Sequence, residues 1–198
     1  RPATVKRTLQ PPHRRMSSNG RSRCSKTFKC WKPFMLKQPV MTAQAVAEFL
    51  GREFPQINGI YAVEAVGPFN SRVRCFFNQA YLRPGETISG PTMMGLADVS
   101  LYVTILANIG PVASAATTNL TFNFLRKPER ADLIAECRLL KLGKSLAVGE
   151  VAIRSDGLTD LVVHATGTYS IPPQTAPVKP LPKPQPEAPA PTNAGLLR

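Results

Sequence analysis

SGPTMMGLADVSLYVTILAN, residues 89–108, reads as one long buried helix. Ser89 is a favoured N-cap, Pro91 stands in the first turn where a missing N–H loses no helical bond, and Gly110-Pro111 supplies the stop. At about 1.5 Å per residue such a helix is about 28 Å long. Apolar side chains cover nearly every face (Met93, Met94, Leu96, Val99, Leu101, Val103, Ile105, Leu106), so other structure has to wrap it. Asp98 stands out there as the only charged residue between Glu86 and Arg126. A buried carboxylate without a partner or a task costs several kcal/mol. Its position therefore asks either for a neighbouring hydroxyl, such as that of Thr92 or Tyr102, or for a function.

Upstream, Thr42–Glu53 has an N-cap Thr and apolar residues at Ala45, Val46, Phe49 and Leu50, the spacing of a short amphipathic helix ended by Pro55. Ile60–Val66 and Ser71–Asn78 alternate as strands around Gly67-Pro68 and Asn70-Ser71, which suggests a hairpin, and Arg83-Pro84-Gly85 loops the chain into the central helix. After Pro111 the pattern turns to strands. In TTNLTFNFL, Leu120, Phe122 and Phe124 point one way and Asn119, Thr121 and Asn123 the other. Strands follow over Leu133–Leu142, Ser145–Arg154 and Leu161–Ile171, with turns at Gly143-Lys144 and Asp156-Gly157. The order of helix, two strands, long helix and four strands implies an α+β domain whose curved antiparallel sheet curls around the central helix. Open strand edges favour dimerisation by sheet extension.

Charge is distributed unevenly. The formal net charge is +13, but 11 of the 25 Lys and Arg lie in residues 1–40, which hold no Asp or Glu, leaving 14 basic against 12 acidic side chains in the remaining 158 residues. The body thus offers no basic stripe for nucleic acid. The aperiodic, Pro- and Ser-containing segment 1–40 is expected to be a basic disordered arm. Translation starting at Met41, with the residues upstream an extension of the true sequence, is the preferred explanation. An organellar transit peptide and an arm for nucleic acid or anionic membrane are the others, and Phe28, Trp31 and Phe34 have no sheet to make them a stacking platform. Residues 172–198, with nine prolines, are expected to form an extended polyproline-like tail, leaving 41–171 as the folded domain.

Cys24, Cys30, Cys75, Cys137, His13 and His164 make no metal-ligand spacing, so reduced thiols and no metal are expected. The longest apolar run, Met93–Ala116, is interrupted by Asp98, Asn108 and Gly110-Pro111, so no membrane partner is expected and the protein reads as soluble and intracellular.

Four stretches in order, TISGPTMMGLADVSLY (87–102), TTNLTFNFLRKP (117–128), AECRLLKLGKSLAVGEVAI (135–153) and HATGTYSI (164–171), resemble the hotdog-fold acyl-CoA thioesterases of the phenylacetate-degradation, PaaI-like, type. The resemblance spans about Gly59–Ile171. That family typically reads T-V-H-G-G before an apolar helix carrying an acidic residue nine positions after the His. Thr87, Ile88, Gly90 and Asp98 match, whereas Ser89 replaces the His, Pro91 the second Gly, and Arg83 an Asn found six residues before the His in many members.

The resemblance implies a hotdog fold, a homodimer or dimer of dimers with its site at the dimer interface, and hydrolysis of an acyl- or aryl-CoA. Asp98 is then the general base or nucleophile, and the Gly90 N–H polarises the thioester carbonyl. Both roles are physically sound, because a helix N-terminus aims free N–H groups at a developing oxyanion. Ser89 occupies the motif's His position, and Thr117 matches a place where related enzymes put a hydroxyl facing the partner subunit's site. Arg83, in the loop before the helix, and Pro91, in its first turn, are candidate substrate-binding positions, and Arg126, Lys127 and Lys144 stand at strand ends as candidate contacts for the phosphates of coenzyme A or as simply solvated cations. Coenzyme A enters as part of the substrate and no separate cofactor is implied. The location implied is cytoplasmic, or an organellar matrix were the arm a transit peptide.

Two other readings stay open. A non-catalytic acyl-CoA binder or sensor is compatible with Ser89 and Arg83. A hotdog hydratase or dehydratase fits less well, since those use an active-site His and neither histidine falls in the loop-helix motif. His164 is expected as a packed or turn-end residue, and Met93-Met94 as core.

Overall fold

The computed structural model describes residues 38–173. The arm expected over 1–40 and the tail expected over 172–198 fall almost wholly outside the described residues, as do Cys24, Cys30 and His13.

Helix α1 (Ala43–Glu53) starts at Thr42, whose Oγ1 accepts the Ala45 N–H at 3.2 Å. Strands β1 (Tyr61–Gly67) and β2 (Asn70–Cys75) form the expected hairpin. Between Cys75 and the central helix the chain adds a feature that periodicity did not suggest, a two-stranded ribbon of β3 (Leu82–Arg83) and β4 (Thr87–Ile88) around Pro84-Gly85. Helix α2 spans Gly90–Ile109 and ends where Gly110 adopts φ +94°, a conformation open to glycine, and returns its N–H to Leu106 O at 2.9 Å. Then follow β5 (Ala116–Phe124), β6 (Leu133–Leu142), β7 (Leu146–Ser155) and β8 (Leu161–Ser170).

Among the described residues, six of the strands form one antiparallel sheet in the order β1-β2-β6-β7-β8-β5, and α2 lies in its concave face. Leu96, Leu101, Ile105 and Leu106 of α2 are buried against Val73, Leu133, Val151, Ile153 and Val163 of the sheet. By length and composition α2 would suffice to cross a membrane, but here it is the core helix of the domain. Two glycines set how closely it approaches. A Cβ on Gly149 would stand 2.6 Å from Leu101 Cδ2, and one on Gly167 2.6 Å from Leu101 Cδ1, so Leu101 presses on bare backbone of both β7 and β8.

The wrapping leaves one stripe open. Pro91 and Met94 are exposed and Gly95, Asp98 and Tyr102 half-buried, a row at helical spacing that the described strands cover only in part. This corrects the expectation that both methionines are core, since Met93 is buried and Met94 is 38% exposed. The sheet also ends openly at β5, which pairs with β8 on one side, alternates as the sequence suggested, and buries Leu120 and Phe122 halfway while Phe124 and Leu125 remain 47% and 54% exposed.

The convex face carries paired charges. Arg72 bridges Glu64 and Glu136, Arg74 bridges Glu64, Asp132 and Asp156, and Arg138 meets Glu150. His164 also lies there, with Nε2 3.5 Å from Glu150, rather than packed in the core or at a turn end, because β8 alternation turns it outward.

Two stability measurements test these contacts. Gly167→Ala drives a methyl into both Leu120 Cδ2 and Leu101 Cδ1, 2.5 and 2.6 Å from a Cβ built there, and is expected to cost about 1–3 kcal/mol in denaturant unfolding. In a Leu101→Ala background, itself about 2–5 kcal/mol less stable, the same change is expected to cost less, and less again when Leu120→Ala removes the other contact. For acid stability, burial alone would raise the Glu64 carboxyl, but the Arg72 and Arg74 guanidiniums outweigh it and hold it below the ordinary 4.5. A lowered folded-state value stabilises above the unfolded one, so this contribution is complete near neutrality and drains away as pH falls below about 4.5. Arg74→Met is therefore expected to lower the melting temperature at pH 7 and to flatten its fall between about pH 5 and pH 3, read by thermal scans across pH.

Candidate active site

The half-buried carboxylate of Asp98, in the middle of the open stripe of α2, is met by two hydroxyls. Thr117, at the start of β5, donates to Oδ1 at 2.6 Å, and Tyr169, near the end of β8, donates to the same oxygen at 2.6 Å. The Tyr169 hydroxyl is also 2.9 Å from the Asp98 main-chain carbonyl. Burial first, and then the charge of Asp98, push the Tyr169 phenol far above its ordinary range, so it stays a donor at every working pH. Tyr169 stacks on Tyr102, one turn further along α2, with ring centroids 6.3 Å apart and planes 9° apart. Tyr102 donates to Val112 O at 3.2 Å and tethers the loop that leads to Thr117. Tyr61, on β1, is pushed up to about 12 by burial and by Cys75, Tyr81 and Asp98. Asp98, Thr117, Tyr102 and Tyr169, with Leu50, Glu53 and Phe54 of the α1 end and Ala113, Ala115 and Ala116, line a cavity of about 350 Å³.

A second, larger groove of about 560 Å³ opens at the other end of the helix, lined among others by Arg83, Gly85, Thr87, Gly90, Met93, Phe124, Arg126 and Lys127. The N-terminus of α2 points into it. Ser89 is the N-cap but makes no side-chain cap bond, its Oγ pairing with Thr92 Oγ1 at 2.9 Å. Pro91 removes one of the donors that a helix start would offer. Thr87 Oγ1 is the buried side-chain polar atom left without a partner among the described residues, at the floor of this groove.

The sequence candidates therefore divide into two places. Gly90, Arg83, Arg126 and Lys127 line the larger groove, while Asp98 and Thr117 line the smaller. Gly90 and Asp98, eight residues apart on one helix, are separated by about 12 Å of rise, too far to flank one carbonyl within a single chain. Thr117 donates to Asp98 of its own chain. Lys144, on the β6–β7 hairpin, joins neither cavity, and Arg126 already pairs with Asp160 at 3.1 Å. The carboxylate's hydroxyl partners are Thr117 and Tyr169 rather than Thr92 or Tyr102, which bond Ser89 and the 112–113 carbonyls. Tyr169 was missed, and its signal was present: a tyrosine on the inward face of the last strand, two residues after the glycine that admits the helix. Among the described residues no three His, Cys, Asp or Glu side chains gather as a metal site. The Cys75 and Cys137 thiols are buried and free, and burial pushes them up to about 11 and about 12.

A curved antiparallel sheet around one central helix, with a carboxylate on the helix's open stripe, defines a hotdog-fold protein. Comparison with known proteins makes this more specific. The sequence profile of the thioesterase superfamily matches residues 85–162. The crystal structure of a "putative thioesterase" from Silicibacter sp. TM1040 is 42% identical, with 68% of this chain and 94% of that one covered and a TM-score of 0.63. The chain belongs to the thioesterase superfamily. The "Putative esterase" of Saccharolobus solfataricus is 24% identical over 132 residues, 67% of this chain and 81% of that protein. A mutant of the phenylacetic acid degradation protein PaaI from Thermus thermophilus is 22% identical at a TM-score of 0.52, with 59% of this chain and 98% of that one covered, a likeness of fold alone.

Proposed function

We propose that the protein is an acyl-CoA thioesterase of the PaaI-like kind, acting as a dimer whose two sites are each built from both chains. The observation that carries this is the placement of Asp98: a carboxylate on the open stripe of an otherwise wrapped helix, facing a cavity beside the unpaired edge strand β5.

Antiparallel pairing of β5 with its copy about a two-fold axis near Leu120 sets the Thr117 end of one strand against the Asn123 end of the other. The Asp98 cavity of one chain then adjoins the Gly90 groove of its partner, removing the obstacle of helical rise that a single chain imposes. The same pairing would cover Met94, Phe124 and Leu125 and occupy the open edge.

In this site the thioester carbonyl oxygen accepts the Gly90 N–H at the start of a 20-residue helix, whose dipole favours the charge that develops there. Asp98 takes a proton from a water molecule as its oxygen bonds to the carbonyl carbon. The tetrahedral adduct collapses with cleavage of the C–S bond, the electron pair leaves on sulfur, and the proton goes on to the thiolate, giving the free acid and coenzyme A. Arg83 and Lys127 at the groove mouth, with Arg126 once it releases Asp160, attract the phosphates.

Thiol release from short, medium and aromatic acyl-CoAs tests the chemistry. Asp98→Asn is expected to lower kcat at least ~100-fold, the scale of general-base catalysis. Gly90→Pro removes the N–H at a helix position where proline is tolerated and is also expected to be inactive. Co-refolding the two inactive variants is expected to restore about a quarter of wild-type activity, because half of random dimers are mixed and each has one intact site; no restoration excludes the shared site. Acyl-CoA binding without turnover in the wild type would leave a binder or sensor. The double variant Arg83→Gln/Lys127→Gln is expected to raise KM about tenfold for acyl-CoA, a loss of about 1.4 kcal/mol, with KM unchanged for an acyl-N-acetylcysteamine thioester lacking phosphates.

A further inference from the structure

The two carboxylate oxygens of Asp98 are in unlike surroundings. Oδ1 receives both the Thr117 and the Tyr169 hydroxyls, each at 2.6 Å. Oδ2 has no partner among the described residues, and it is not one of their buried orphan atoms, since that description fits Thr87 Oγ1 alone. It therefore reaches solvent in the cavity. An oxygen that accepts two short hydrogen bonds has its lone pairs engaged and is the poorer proton acceptor of the two.

Tyr169 is built to hold that asymmetry. It is 3% exposed, stacked on Tyr102, and carried by β8, the strand whose Gly167 lets α2 approach to contact. Its hydroxyl contacts both a side-chain oxygen and the main-chain carbonyl of Asp98, so it ties the carboxylate's rotation to the helix backbone. Thr117, exposed on the edge strand, gives Oδ1 a second donor but not this link to the backbone.

We propose that Tyr169 is a positioning residue that caps Oδ1 and fixes the carboxylate so that Oδ2 alone meets the attacking water; this rests on the thioesterase reading of Asp98. Tyr169 acts through Asp98, the residue its hydroxyl bonds. A reaction that needs one oriented oxygen loses rate when the carboxylate can rotate, whereas substrate affinity, set in the partner's groove, does not change.

The test is steady-state thioester hydrolysis by the full chain carrying Tyr169→Phe, which keeps the ring and its stacking but removes the donor. The expected result is kcat lowered roughly 10- to 100-fold, KM within about twofold of wild type, and no further loss when the change is added to Asp98→Asn. Unchanged kcat in Tyr169→Phe, or a raised KM with kcat preserved, overturns the positioning role while Asp98 stands. Full activity in Asp98→Asn instead overturns the thioesterase reading beneath it. Should Tyr169→Phe fail to fold, Thr117→Val removes the other donor to the same oxygen at an exposed position, and Thr117→Ser restores it. A kcat that falls with valine and returns with serine supports capping of Oδ1, and one indifferent to both overturns it.

Discussion

Leu101, pressed between the backbones of Gly149 and Gly167, fixes the distance between α2 and the sheet. Any side chain at either glycine would hold the helix off β7 and β8. That close approach has a chemical as well as a mechanical result. Gly167 and Tyr169 share the inward face of β8, so the gap that brings Leu101 onto bare backbone also brings the Tyr169 hydroxyl within 2.6 Å of Asp98. A helix displaced outward by a methyl would keep its burial in large part and lose the hydrogen bond, because dispersion declines gradually with distance whereas a hydrogen bond has a narrow range.

The central helix and the strands were legible because their signals are local. Ser89, Pro91 and Gly110 mark the ends of α2 to within a residue, and alternation marks β6 and β8. What the sequence hid depends on contacts far apart in the chain. Tyr169 meets Asp98 across 71 residues, and no periodicity in either segment points to the other. The open stripe of α2 was hidden for a related reason. Met94 is as apolar as Met93, and only the path of the sheet decides which of the two it covers. The ribbon of β3 and β4 is two residues a side, too short for alternation to register. His164 sits among apolar neighbours in sequence, yet strand geometry turns it outward to Glu150.

The faces of the sheet divide the labour. The convex face is occupied by ion pairs that satisfy one another, Arg72 and Arg74 each serving more than one carboxylate. The exposed pairs of such a face contribute modestly to stability. The open edge at β5 and the stripe of α2 have the opposite character, with unpaired backbone beside apolar side chains. Under the proposed reading, the dimer contact falls on the side on which Asp98 lies.

The departures at Ser89 and Pro91 bear on the proposed chemistry less than their place in the motif suggests. The Ser89 hydroxyl pairs with that of Thr92, so that position holds the first turn together. Proline in the first turn withdraws a donor but stiffens the backbone carrying the Gly90 N–H, whose direction is what an oxyanion site requires. Beside it, the unpartnered hydroxyl of Thr87 leaves one polar group at the groove floor still unsatisfied. Under the proposed reading the anion site is thus narrower than a Gly-Gly motif would make it and relies more on one well-aimed N–H and on the helix dipole. The burden of rate enhancement shifts toward the carboxylate, and with it the value of holding Asp98 from two sides.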